Sequence, residues 1–209
     1  FKDEFTYNKV TNKKISAIMP VHVWGNACLL SNLVELCEER NIIIVEDASE
    51  SLGTFYNKGL HKGKHTGTVG KLGCLSFNGN KIITTGGGGM IFTDDEKLAE
   101  KAKYLITQAK DDAIRYVHDE VGYNFRLTNI QAALGVAQLE QLPKILKRKK
   151  EINNIYKTAI KKIDGLFLSK APSYADNNHW LNILQINSKV YGENRERLMK
   201  RLEQNSIQT

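Results

Sequence analysis

The sequence predicts an α/β domain on a mainly parallel sheet with flanking helices, followed by part of a smaller α+β unit. Three observations predict this. An apolar run, an amphipathic segment and a second apolar run follow one another between residues 15 and 47 with short connections, which is the order of a βαβ unit. Two further apolar runs, 72–77 and 88–93, come before the next helical segment. After Pro172 the pattern changes to a new strand and helix.

Ile15 to Val23 is apolar and β-branched, so it predicts a buried strand. Leu29 to Arg40 places Leu30, Leu33, Val34, Leu36 and Cys37 at helical spacing. Asn41 to Val45 is the second strand, ending at Glu46-Asp47. Residues 54–73 turn to Gly, Lys, His and Thr, which predicts hairpin turns lying over a site. Leu72 to Phe77 and Gly88 to Thr93 are strands, and Asp94-Asp95 caps a helix running through Leu98 and Ala102 to Leu105. Ile130 to Leu142 is an amphipathic helix entered through Thr128-Asn129, and a separate basic helix spans Ile145 to Ile163. Trp180 to Ile186 predicts a strand and Arg195 to Gln204 a helix. The expected division is 1–142 for the large domain and 143–209 for a linking helix with part of a small domain.

The chain has 209 residues, 41% hydrophobic and 25% charged, so a packed core is expected rather than disorder. The longest apolar runs, around 41–45, are strand-sized and too short to span a membrane. Phe1 to Tyr7 lacks a basic stretch followed by an apolar one, so it does not read as a signal peptide. Both ends read as cuts through a longer protein. Cys28, Cys37 and Cys74 lack metal or redox spacing, which predicts reduced thiols in a cytoplasmic protein. The net charge is +7, but the basic residues are scattered, with many in the 144–150 stretch. A solvated helix face explains that charge, and no nucleic-acid partner is expected.

Asp47 closes an apolar parallel strand, where ligands of open α/β sheets gather. A carboxylate there calls for a cationic partner. The alternative is a helix cap, because Asp47-Ala48-Ser49-Glu50 has capping-box form. Ser76 and Lys81 flank a turn in Ser76-Phe77-Asn78-Gly79-Asn80-Lys81, so hydroxyl and amine can converge on one molecule. A lone loop lysine is usually a solvated charge, but Lys81 is followed by Gly86-Gly87-Gly88-Gly89 directly before a strand. Four glycines permit close backbone approach to a ligand, or else make a flexible hairpin. Phosphate-loop frames are missing around Lys64, Lys71 and Lys81. His61 and His65 lie in a Gly/Lys-rich loop rather than on a helix, so they make a weak metal site.

The stretches Val45 to Gly53, Gly73 to Lys81 with the glycines after it, Pro20 to Gly25, and Gly122 to Ala133 stand in an order that resembles the DegT/DnrJ/EryC1/StrS sugar aminotransferases. The wording S-F-N-G-N-K-I-I-T-T-G-G-G-G looks most like the branch acting on nucleotide-linked 4-keto-6-deoxy-N-acetylhexosamines. The resemblance implies the fold-type I architecture and pyridoxal 5′-phosphate as cofactor. It implies that Lys81 is the Schiff-base lysine, that Asp47 holds the pyridine nitrogen protonated, and that Ser76 holds the phosphate. Glu50 falls near the ring hydroxyl, where the family often has Gln. Asn124 would reach the phosphate in the neighbouring subunit, so a homodimer with shared active sites is expected. His22 lies near the ring with no definite role. Related dehydratases carry His in place of the lysine, so Lys81 favours transamination, with glutamate as donor. A catalytically silent relative that binds a nucleotide sugar is the alternative. Counterparts of the family's upstream phosphate loop and of its complete small domain are not in the sequence, which again implies a fragment.

Overall fold

The computed structural model describes residues 6–112 and 114–209. In chain order the elements are β1 (Ala17–Ile18), α1 (Ser31–Glu39), β2 (Ile43–Asp47), β3 (Phe55–Tyr56), β4 (Leu72–Ser76), β5 (Gly89–Phe92), α2 (Glu96–Ile106), α3 (Asn129–Ile160), β6 (Leu166–Leu168), β7 (Ala175–Asp176), β8 (Leu184–Ile186), α4 (Ser188–Tyr191) and α5 (Arg195–Gln204). The main sheet has the order β1-β2-β4-β5. β1, β2 and β4 are parallel, and β5 runs antiparallel to β4. Parallel neighbours need a crossover, and α1 supplies it between β1 and β2. Asp47 pairs in register with Cys74, so the ends of β2 and β4 share one edge of the sheet.

The predicted strand from Ile15 to Val23 is broken. Only Ala17–Ile18 forms a ladder. Pro20 has no N–H to donate, and the chain rejoins β2 through a single parallel bridge, Val21 to Asp47. There the Asp47 amide donates to the Pro20 carbonyl and the His22 amide to the Asp47 carbonyl, each at 2.9 Å. A 3₁₀ turn, Val23–Gly25, follows.

The two helices expected on either side of Pro143 are one continuous helix, α3, with Pro143 inside it. Its start is fixed by a capping box: Thr128 Oγ1 accepts from the Gln131 amide, and the Gln131 side chain accepts from the Thr128 amide. Good helix formers flank Pro143 on both sides, so losing one internal hydrogen bond does not end the helix. The expected division at residue 142 falls within α3. Ile130, Leu134, Val136 and Leu139, apolar residues of the expected amphipathic helix, are exposed.

Two clusters form the core. Ala48, Leu75, Phe77 and Ile83 pack under the end of β4, with Leu142 and Ile145 of α3 against them. Ala27, Leu30, Tyr56 and Ala175 form the other. Leu30 and Ile83 are fully buried, each contributing about 2 kcal/mol by leaving water. β7 pairs antiparallel with β3, which ties the later part of the chain to the 53–70 loop. β6 and β8 form a separate antiparallel pair. The strand expected from Trp180 begins only at Leu184, because Trp180 is drawn away to the main sheet's loops, where its Nε1 donates to the Asn80 carbonyl at 2.7 Å. Among the described residues, no helix is long and apolar enough to cross a membrane.

Candidate active site

The shared edge of β2 and β4 carries most of the residues singled out by sequence. Asp47 ends β2, and one carboxylate oxygen accepts the Ser49 amide at 3.0 Å. The chain then turns through Ser51 and Thr54 without forming a helix, so the capping-box alternative is not realised. Among the described residues no cation pairs with Asp47, which leaves a half-buried carboxylate without counter-charge. Ser76 ends β4, two residues past the register partner of Asp47. Its Oγ accepts the Asn78 amide at 3.3 Å, which leaves the hydroxyl hydrogen free to donate.

Lys81 sits on the turn that follows, where its amide donates to the Asn78 carbonyl at 3.1 Å. It is not a solvated loop lysine: its side chain is 14% exposed, with the amine 3.6 Å from Glu50 Oε1. The same amine lies 4.5 Å from the centre of the Trp180 ring. Glu50 Oε2 accepts the Trp24 amide at 2.6 Å. Asn124 stands apart. It is exposed, and its backbone bridges to Thr107 just past α2.

The glycine run divides in two. A Cβ on Gly88 would come within 2.5 Å of Leu127, and one on Gly89 within 2.4 Å of the Leu75 carbonyl oxygen. Those two positions are required by the chain's own packing. Gly86, at φ +78°, has open space around it.

His22 and Glu46 form a buried pair behind this edge that sequence reading did not find. His22 Nε2 lies 2.8 Å from Glu46 Oε2, and both side chains are fully buried. His22 Nδ1 accepts the Cys28 amide at 3.0 Å, so the ring carries its hydrogen on Nε2. A second ring proton would have to displace that amide. Glu46 also accepts the amides of Gly67, Val69 and Gly70 at 2.9, 2.6 and 2.6 Å. Burial pushes its carboxyl up, but His22 and the amides of Gly70 and Gly67 outweigh that, holding it below the ordinary carboxylate range. The available signal was alternation: Glu46 is two residues from Ile44, on the buried face of β2.

An amine, a carboxylate without counter-ion and a free hydroxyl at one sheet edge are the donor types that pyridoxal phosphate needs. A model of the DegT/DnrJ/EryC1/StrS aminotransferase family matches residues 4–209. EpsN of Bacillus subtilis, provisionally described as a pyridoxal phosphate-dependent aminotransferase, is 41% identical over 172 residues, 82% of this chain and 43% of its own. The GDP-perosamine synthase of Vibrio cholerae is 37% identical over 198 residues, covering 95% of this chain and 52% of its own. The solved structure of Helicobacter pylori PseC, an aminotransferase involved in the biosynthesis of pseudoaminic acid, superposes with a TM-score of 0.81 at 25% identity, over 97% of this chain and 54% of that one. The chain thus spans about half the length of the relatives it matches. On the family match and these identities, the chain belongs to the DegT/DnrJ/EryC1/StrS aminotransferase family.

Proposed function

We propose that the protein is a pyridoxal phosphate-dependent aminotransferase that places an amino group on C4 of a nucleotide-linked 4-keto-6-deoxy-N-acetylhexosamine, with glutamate as donor. The observation that carries this reading is Lys81, half-buried against Glu50 and Trp180 beside the edge that holds Asp47 and Ser76. Family membership and relatives named as sugar-nucleotide enzymes support the substrate class. The N-acetylhexosamine rests on the wording of the 76–89 motif.

Bound pyridoxal phosphate supplies an aldehyde to carry the amino group and a ring that withdraws electrons. Lys81 would hold the cofactor covalently at rest, and once free its amine would move a proton at the donor's α-carbon and later at sugar C4. Asp47 would keep the ring nitrogen protonated, which uses the carboxylate that no side chain among the described residues neutralises. Ser76 would donate its free hydroxyl hydrogen to the phosphate. Glu50 would serve near the ring hydroxyl, with the Lys81 amine 3.6 Å from its carboxylate. Asn124, exposed beside Thr107, would reach the partner subunit's phosphate, which would make the working unit a homodimer. The proposed division, 1–142 for the large domain and 143–209 for a linking part and part of the small domain, falls within α3, so that one helix would run from the first into the second. The enzyme works in the cytoplasm.

The full-length protein with cofactor should be yellow, and borohydride should remove the band while fixing the cofactor to Lys81. Lys81→Ala should lose both the band and transamination. Incubation with glutamate and a panel of nucleotide 4-keto sugars, read by mass and NMR, identifies the product. A full-length protein that stays colourless would replace this reading with a silent sugar-binding relative.

A further inference from the structure

Trp180 is far from Lys81 in sequence, and no motif around Lys81 points to it. The structure brings them together through Asn178, which is 1% exposed. The Asn178 amide nitrogen donates to Thr54 Oγ1 at 3.1 Å. Its Nδ2 donates to the carbonyls of Glu50 and Leu52 at 2.9 and 3.0 Å. Its Oδ1 accepts the Trp180 amide at 2.9 Å. Nδ2 thereby fastens the segment after β7 onto the turn after β2, and Oδ1 holds Trp180 within that segment. His179 between them takes φ +51°, which reverses the chain locally. The Trp180 indole is then held at its far end by the Asn80 carbonyl, the residue just before Lys81. Two anchors fix the ring plane, and the amine of Lys81 lies 4.5 Å from its centre.

We propose that Trp180, held by Asn178, is a positioning residue that docks the free amine of Lys81 beside Glu50. Its use in catalysis rests on the aminotransferase reading; the docking itself does not. Lysine must leave the cofactor in the first half-reaction and regain it at the end of the second, and an amine that swings freely between loses orientation and time. The ring face attracts the ammonium form and Glu50 takes its charge, so the amine waits at a fixed place between the two. Of the charged groups packed here, Glu50 touches Lys81 directly, and Lys149 of α3 reaches the same segment by donating to the Trp180 carbonyl at 3.1 Å.

The test is competitive labelling of the cofactor-free, full-length protein with acetic anhydride at one pH, with Lys81 reactivity read by peptide mass against the other lysines. A docked amine is shielded by the ring face and by Glu50, so Trp180→Leu should raise Lys81 labelling about threefold or more. Trp180→Phe, which keeps a ring face and loses the Asn80 bond, should raise it less. If the Leu variant folds poorly, fluorinated tryptophan keeps the shape while weakening the face. Labelling should then rise with increasing fluorination, and labelled Trp180→Phe protein is the control for other tryptophans. Labelling unmoved by Leu or by fluorination, or raised as far by Phe as by Leu, overturns the docking role. Borohydride trapping at Lys81 is read separately: its failure with the expected labelling change would reject the cofactor reading and leave the docking intact.

Discussion

Replacing Glu46 with Gln removes one charge and almost no volume from the centre of the fold. Glu46 accepts four hydrogen bonds, two on each oxygen: His22 Nε2 and the Gly67 amide on Oε2, the Val69 and Gly70 amides on Oε1. A glutamine can accept on only one side. Its NH₂ must face two donors, either the ring and Gly67 or the two later amides. The ring cannot adapt by moving its hydrogen to Nδ1, because that nitrogen already accepts the Cys28 amide. Two hydrogen bonds to a charged group are lost, each contributing about 1.5–3 kcal/mol, so the cost is about 3–6 kcal/mol. Against a whole-domain stability of about 5–15 kcal/mol that is a large fraction. Urea unfolding of both proteins at pH 7 measures it.

The acid side gives a second readout. The Glu46 carboxyl is held below its ordinary value of 4.5 in the folded state. Its stabilisation is therefore complete above that value and is lost as the pH falls toward the folded value. The gap between wild type and Glu46→Gln should be constant near neutrality and shrink below pH 4.5. A loss under about 1 kcal/mol at pH 7, or a gap that does not shrink in acid, would refute the reasoning.

Gly25→Ala should destabilise by about 2–4 kcal/mol, since Gly25 has φ +80° and a Cβ would lie 2.0 Å from Asn178 Oδ1, a buried atom with a partner to keep; thermal unfolding reads this. Thr128→Ala should cost about 1 kcal/mol by opening the α3 capping box, and Thr128→Ser should restore most of it in denaturant titrations. Asp47→Asn should still allow borohydride trapping of Lys81 but slow turnover on the order of 10²-fold, because the charge facing the ring nitrogen is gone. Single-turnover absorbance measurements separate those two effects.

Local pattern was enough for much of the fold. The crossover helix α1, the strand ending at Asp47, the strand read as Leu72 to Phe77 and the Asp95-capped helix each carry their signal in a short stretch of sequence, and each stands within a residue or two of where periodicity put it. Pattern failed where a distant contact decided the outcome. Pro20 shortened the first strand, although the bridge from Val21 to Asp47 kept its direction. Pro143 suggested a helix end, but the packing of Leu142 and Ile145 against the Ala48–Ile83 cluster carried α3 through it.

The same line divides the site. Sequence by itself determined the chemical groups and their order: Asp47 at a strand end, Ser76 and Lys81 across a turn, and glycines before β5. Only the tertiary structure decided what surrounds them. Glu46 and His22 are 24 residues apart, and Lys81 and Trp180 are farther still. No short pattern records such pairs, because burial and hydrogen bonding act on distance in space and not on distance along the chain. The family motif named Lys81, and the fold gave that amine its neighbours.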